Sequence, residues 1–594
     1  MNRRKVKQLL SGDEAIAFGA YDAGVRIATA YPGTPSTEIV ETFSGLPEVY
    51  AEWCPNEKVA FEVAIGSSLA GTRTLVSMKH VGLNVAADPF FTASYIGVNG
   101  GLLVVSADDP GMHSSQNEQD NRHYAVAAKV PMLEPSDSQE AYDFARLAVE
   151  ISETFDTPCL LRITTRVAHS KTVVVRRPAD RKASKPTPGF RKNPSKYVMV
   201  PIFARQRHEE VEKRLERLLA YSESTPLNVA QPGSRNLGII ASGVAYAYAK
   251  EVCPEASFLK IGMSHPLPVA KIRAFCRGLR RIVVVEELDP FLENQIRALG
   301  IPVEGKSLFP ICGELTPDLV RQGLRRATHS PSRRAPSEER ERRALPPRPP
   351  ALCPGCPHSA TFYTIKKLKL DVMGDIGCYT LSVAPPLETM DACVCMGASI
   401  GMAHGMERAL RGRTNGRTVA VIGDSTFVHS GITALLNVAY NKGRCTTIVL
   451  DNRTTAMTGL QDHPGTGRTL QGEPSPAVDF EALGRALGIE SVRTVDPYDL
   501  KGLEAALREE IQAPRSSLII ARRPCLLLRK GERPPARTVD VDACVGCGLC
   551  LRIGCPALSQ ADGGKARIDP LICNGCPICG QVCKAGAIRV TRTP

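Results

Sequence analysis

Tryptophan occurs once in 594 residues and aromatic side chains make up 5% of the chain, so rings cannot be the main filling of its cores. With 43% apolar residues, alanine, valine, leucine and glycine must supply the packing, which suits parallel α/β layers buried on both faces. No uncharged apolar run approaches the roughly 18 residues that suggest a membrane helix. The basic start MNRRKVKQLL is followed by Asp13 and Glu14, which cut the apolar stretch before it reaches signal-peptide length, so the chain reads as cytoplasmic. RNA-binding and zinc-finger signatures are missing as well. The net charge of +13 is therefore scattered arginine, with local excess at 172–191 and 325–348, and not a nucleic-acid footprint. An acidic electron carrier suits such a surface better.

The length implies several domains. Residues 1–170 alternate helix-like and strand-like segments, as in GDEAIAFGAYDAG, VRIATAYP and GGLLVVSADD, the βαβ pattern of a doubly wound parallel sheet. Residues 171–236 read as an irregular basic connector with one charged helix at 205–221. A smaller α/β domain follows at 237–326, then a proline- and arginine-rich linker at 327–350. Strand and helix alternate again over 351–530, and 536–594 is a cysteine-rich tail.

Cysteine is abundant, with 20 residues, in a chain whose compartment does not favour disulfides, and this points to metal or redox chemistry. Five are dispersed before residue 313, and eight lie between 544 and 583. CVGCGLC at 544–550 and CNGCPIC at 573–579 repeat at an offset of 29 residues. Cys544, Cys547, Cys550 and Cys555 form C-x2-C-x2-C-x4-C, and Cys573, Cys576, Cys579 and Cys583 form C-x2-C-x2-C-x3-C. Two such runs match the two-[4Fe–4S] ferredoxin pattern, in which each fourth cysteine serves the other cluster. One cluster would take Cys544, Cys547, Cys550 and Cys583, the other Cys573, Cys576, Cys579 and Cys555. A pair of zinc sites is the competing reading of CxxC pairs, but three close cysteines plus a distant fourth, twice over, favour iron and sulfur.

In RTVAVIGDSTFVHSGITALLNVAYNKGRCTTIVLDNRTT a buried strand ends at Gly423-Asp424-Ser425 and a second at Asp451-Asn452. Ligands of open α/β sheets bind at such carboxyl edges. Asp424 and Asn452 offer hard oxygen donors for Mg²⁺. A helix-capping aspartate and a turn asparagine would explain the same residues without a ligand.

This spacing resembles the thiamine-diphosphate motif GDG…NN, with GDS and DN in its place. The resemblance makes Gly423, Asp424, Ser425, Asn452 and Thr454 cofactor-binding, and Asp424, Asn452 and the Thr454 carbonyl the Mg²⁺ ligands. AYPGTPSTEI (30–39) with NEKVAFEVAIGSSLAG (56–71) is similar to the pyrimidine-binding domain of the 2-oxoacid:ferredoxin oxidoreductases. It implies that Glu57 hydrogen-bonds N1′ of the aminopyrimidine, with Ala60 and Gly66 at the matching offsets. It also implies that Thr34 lies beside the substrate keto acid and that Arg122 holds its carboxylate. The 237–326 segment resembles a transketolase C-terminal-like domain. Cys353, Cys356, Cys378 and Cys525 roughly match cysteines that hold a further cluster in relatives; a diphosphate-lining turn plus packing thiols is the open alternative.

The order pyrimidine domain, C-terminal-like domain, pyrophosphate domain and ferredoxin tail resembles the α subunits of indolepyruvate ferredoxin oxidoreductases. MKHVGLNVAADP, SADDPGMHSSQNEQDNR, CPGCPH and DIGCYTL add to that resemblance. It implies oxidative decarboxylation of arylpyruvates to acyl-CoA, with thiamine diphosphate, Mg²⁺, two [4Fe–4S] clusters, coenzyme A as co-substrate, a β subunit in an (αβ)2 assembly, and ferredoxin as acceptor. The same chemistry on another 2-oxo acid, a non-oxidative thiamine decarboxylase, and an electron-transfer subunit with a vestigial thiamine fold are the alternatives.

Overall fold

The computed structural model describes residues 6–178, 189–328, 350–410, 417–529, 531 and 533–590. It divides into two compact units, Met1–Glu339 and Arg340–Pro594. Most of the expected linker at 327–350 lies outside the described residues. Among the described residues no helix is long and apolar enough to cross a membrane.

The first unit is built on a seven-stranded sheet. Across it run Met263–His265, Met132–Leu133, Cys159–Thr164, Leu102–Asp108, Thr74–Lys79, Ile27–Ala30 and Tyr50–Trp53, all parallel except the first. The two central strands, Leu102–Asp108 and Cys159–Thr164, are buried at every position, which is why they read as continuous apolar runs. Asp13 and Glu14 open the helix Gly12–Asp22: the Glu14 amide donates to Ser11 Oγ at 3.1 Å, and the Ser11 amide donates to Glu14 Oε2 at 2.7 Å. Glu14, one of the two residues that interrupt the apolar stretch in the sequence, is thus half of a capping box with Ser11.

A four-stranded sheet, Ile282–Val285, Ser234–Ala241, Ala256–Ile261 and Asn228–Gln231, completes the unit. Its apolar side joins the first sheet in one core, where Leu259, Ile261 and Phe291 cluster with Phe61, Met78 and Phe90. The 237–326 segment therefore does not stand apart from the first sheet, to which its strand Met263–His265 is hydrogen-bonded. The 171–236 stretch is also more regular than its composition suggests. Thr172–Arg176 pairs antiparallel with Val6–Leu10, and the helix runs over Pro201–Ser224. Flanking lysine, arginine and proline mask the β-branched TVVVR run, and that pairing gives it a partner.

The second unit holds a five-stranded, all-parallel sheet in the order Asp371–Met373, Thr418–Gly423, Thr446–Asp451, Ser517–Arg522, Ser491–Val495. Strand alternation sorts its side chains. Val419, Val421, Ile448 and Ile519 pack with Phe362 and Ile365 of Pro357–Leu368 and with Leu503 and Leu507 of Leu500–Gln512. Ala420, Ile422, Val449 and Ile520 pack on the opposite face with Ile400, Leu435 and Phe480. The tail repeats strand, cysteine loop, short helical turn, strand: Arg537–Val539, Leu549–Ile553 and Leu558–Gln560, then Ala566–Ile568, Ile578–Val582 and Ile588–Val590. The outer strands of the two halves pair with each other, as do the inner ones, both antiparallel.

In the first unit Arg162 is buried, donating from Nε to Asp108 Oδ2 and from Nη1 to Glu134 Oε1, each at 2.9 Å. Removing the guanidinium leaves two carboxylates buried without their cation. Arg162→Ala is expected to destabilise the unit by about 3–5 kcal/mol, read as a lower urea midpoint. A loss under about 1 kcal/mol, the range of a surface pair, would contradict this.

Candidate functional site

Parallel strands deliver their polar ends to one edge, and in the second unit Asp375, Asp424, Asp451 and Asn452 gather there. Asp424 is buried; its Oδ1 accepts from the Ser425 amide at 2.8 Å and its Oδ2 from the Arg453 amide at 2.7 Å. Its ion-pair partner is a neighbouring imidazole, His463 Nε2 at 3.3 Å, and among the described residues no lysine or arginine is paired with it. Asn452 Oδ1 accepts from the Thr454 amide at 3.2 Å, and Thr455 Oγ1 donates to Ser425 Oγ at 3.0 Å. A buried carboxylate with no lysine or arginine paired to it, beside an amide oxygen, is a donor set that fits Mg²⁺. Asp375 accepts from the Ile376, Gly397 and Ser399 amides at 2.9 to 3.0 Å, tying the strand end to the helix Ala398–Leu410. Burial, and after it the like charge of Asp424, raises the Asp451 carboxyl, while Arg522 Nε at 2.7 Å holds it. His358 is fully enclosed, and burial pushes its imidazole down to about 4 against the pull of Asp424. The chain after Asp424 winds as a π-helical turn at Phe427–Gly431, a distortion frequent at functional sites.

Next to Asn452 lies a pocket of about 540 Å³ into which Cys353, Cys356, Cys378 and Cys525 converge from three separate segments. Burial pushes the Cys356 thiol up and takes Cys378 to about 11, with the neighbouring cysteines adding to the rise. Thiolates are stable in such a place only beside a cationic centre. Spacing alone left this group open because the four positions span 173 residues, from 353 to 525.

The tail forms two hollows of nearly equal volume, about 410 and 420 Å³. Cys555, Cys573, Cys576 and Cys579 line the first, Cys544, Cys547, Cys550 and Cys583 the second. Each thus receives three cysteines from one run and the fourth from the other. Backbone amides point at the sulfurs, Arg537 and Gly575 toward Cys573 and Ala587 toward Cys583, at 3.3 to 3.5 Å. Four thiols around a hollow with amide donors are a donor set that fits an iron–sulfur cluster. The extra residue of the first run is absorbed at Gly554, whose φ of +70° is left-handed.

In the first unit Glu57 is buried at the first turn of Glu57–Leu69, whose cap Asn56 accepts from the Val59 amide at 3.0 Å. Its carboxylate lies so close to Gly82 that a Cβ there would stand 2.6 Å from Oε1. Ala60 is buried on the same helix, its carbonyl accepting from Thr29 Oγ1 at 2.8 Å, while Gly66 faces open space. Thr34 is half-buried, its carbonyl accepting from Ser114 Oγ at 3.2 Å. Arg122 is placed differently from its expected role on substrate. It donates from Nε to Asp120 Oδ1 at 2.8 Å, from Nη1 to Glu286 Oε2 at 2.7 Å, and from Nη2 to the carbonyls of Glu287 and Asp289. With 1% of its surface exposed and hydrogen bonds from Nε, Nη1 and Nη2 all made inside the protein, it ties the two sheets of the unit together and is not open to a substrate carboxylate. Its position after QNEQDN suggests a substrate role only because its partner Glu286 lies 164 residues away in the chain.

Two family models match the chain. One, described as pyruvate flavodoxin/ferredoxin oxidoreductase, thiamine diphosphate-binding, covers residues 18–216. The other, thiamine pyrophosphate enzyme, C-terminal TPP binding domain, covers 375–521. Among curated proteins the chain is similar to the indolepyruvate oxidoreductase subunit IorA of Archaeoglobus fulgidus, 42% identical over 99% of this chain and 98% of that one. The subunits of the same name from Pyrococcus horikoshii and Methanothermobacter marburgensis are 42% and 41% identical, covering 99% and 98% of this chain and 97% of each relative.

Arg122→Met is expected to lower the stability of the first unit by about 3–5 kcal/mol, the cost of stranding buried carboxylates. The KM for a 2-oxo acid is expected to stay within about threefold in the folded fraction, since the guanidinium is buried on internal partners. A large KM rise at unchanged stability would restore Arg122 to the substrate.

Proposed function

We propose, since the chain belongs to the family of indolepyruvate oxidoreductase IorA subunits, that it oxidatively decarboxylates arylpyruvates. Indolepyruvate, phenylpyruvate and 4-hydroxyphenylpyruvate are the substrates, CoA is the acyl acceptor and ferredoxin takes the electrons. A smaller β subunit completes an (αβ)2 enzyme. The 2-oxo acid and CoA become acyl-CoA, CO2 and a proton, and two electrons leave one at a time.

Asp424, Asn452 and the Thr454 carbonyl would hold Mg²⁺ and through it the diphosphate, with Gly423 and Ser425 lining the strand end. Bound there, thiamine diphosphate supplies the carbon nucleophile that lets a 2-oxo acid lose CO2. Glu57 would hold a hydrogen bond, and the proton in it, at N1′ of the aminopyrimidine. Thr34 would orient the keto group. The eight tail cysteines would carry two [4Fe–4S] clusters, and Cys353, Cys356, Cys378 and Cys525 a third beside Asn452.

The observation that carries this reading is the turn Cys353–Cys356. Cys353 and Cys356 line the pocket that reaches Asn452, while Gly355 between them lines the hollow of Cys555, Cys573, Cys576 and Cys579. A non-oxidative decarboxylase has no use for sulfur in contact with its cofactor edge. A vestigial thiamine fold has no reason to keep Asp424, Asn452 and Glu57 together.

With the β subunit, under anaerobic conditions, a panel of aryl and alkyl 2-oxo acids with CoA and a viologen dye is expected to give aryl acyl-CoA and reduced dye, arylpyruvates being preferred. Aldehyde without dye reduction, or a marked preference for pyruvate, would contradict the assignment. Iron analysis is expected to give about 12 atoms per chain, falling to about 8 in Cys378→Ala with Cys525→Ala. An unchanged iron content in that double variant would exclude the third cluster.

A further inference from the structure

Arg122 is buried and bonded to Asp120, Glu286 and two carbonyls, so a more accessible cation suits the carboxylate of a 2-oxo acid better. Lys79 is the last residue of the strand Thr74–Lys79, at the carboxyl edge where ligands of parallel sheets bind. It is half-buried, with its stem lying along Gly33, where a Cβ would stand 3.2 Å from Cγ and Cδ. Its Nζ donates to the Ser114 carbonyl at 3.0 Å. Among the described residues no carboxylate lies within ion-pair distance of it. The acidic groups whose charge acts on it are Asp109 and Glu57. Asp109 already accepts from the Ser114 amide, Ser115 Oγ and Thr165 Oγ1 at 2.7 to 2.8 Å.

An ammonium offers three donors, and a half-buried one that uses a single donor on a carbonyl favours an anion. Its surroundings are those expected of the substrate. Ser114, whose carbonyl accepts from Lys79 Nζ, donates its hydroxyl to the Thr34 carbonyl. Gly82, against which the Glu57 carboxylate rests, is three residues beyond Lys79 on the helix His80–Val85. Lys79, Thr34 and Glu57 therefore converge within one unit.

We propose that the Lys79 ammonium is the binding site for the substrate's carboxylate, an inference that rests on the function proposed above. A lysine suits this place for a physical reason. It is a point charge, without the two-pronged grip of arginine, so it binds the anion while leaving it less stabilised against loss as CO2.

The test uses the chain with its β subunit and compares 4-hydroxyphenylpyruvate with its methyl ester as competitors of phenylpyruvate. The wild type is expected to favour the acid by about 10- to 100-fold, the range of a charge-assisted hydrogen bond. Lys79→Met is expected to raise the KM by that factor and to bring the acid-to-ester ratio of inhibition constants toward unity, and Lys79→Arg to recover most of it. Loss of a merely structural residue would weaken acid and ester alike. Should Lys79→Met fail to fold, Lys79→Gln serves, with the urea midpoint as control. A retained acid preference in the variants would overturn the inference while leaving the proposed reaction standing. A wild type that oxidises no 2-oxo acid would overturn both.

Discussion

The turn Cys353–Pro354–Gly355–Cys356 is gripped from two sides. Tyr498 Oη donates to the Gly355 carbonyl at 2.5 Å, and Asn574 Nδ2 donates to the Pro354 carbonyl at 2.6 Å. Gly355 has a left-handed φ of +75°, and a Cβ there would stand 3.3 to 3.4 Å from Asn574 and Cys576. Glycine alone gives the turn both its backbone shape and its closeness to the sulfur. The α/β sheet and the cysteine-rich tail are built from different physics, apolar burial in one and sulfur-lined hollows in the other. This turn and the Gln581 contacts with Tyr498 and Leu500 join them, so that the strand edge and the nearer hollow share a wall.

The sheet edge in turn depends on the scarcity of aromatic side chains. Cores filled by valine, isoleucine, leucine and alanine on both faces of parallel strands leave the strand ends as the place for polar groups. Asp375, Asp424, Asp451 and Asn452 all stand there, with backbone amides or Arg522 donating to the aspartates. In the first unit the same logic places Lys79 at a strand end.

Much of this was legible because local chemistry wrote it. The cysteine runs repeat at a fixed offset, and their spacing groups the sulfurs as the two hollows do. GDS and DN mark strand ends because buried β-branched runs precede them. What was not legible depended on distance along the chain. Arg122 looks free until Glu286 arrives from the second sheet. Lys79 is one basic residue among 74 lysines and arginines, and its place at a strand end without a paired carboxylate sets it apart. The pairing of Thr172–Arg176 with Val6–Leu10 closes a loop of more than a hundred and fifty residues, which no window reveals.

Freeze-quench EPR on the assembled, anaerobic enzyme follows where the electrons go. On mixing with an arylpyruvate and CoA, signals of reduced [4Fe–4S] clusters are expected within one turnover, before any external acceptor is added. Decarboxylation with the clusters remaining oxidised would contradict the claim that the strand-edge site and the cysteine hollows form one electron path.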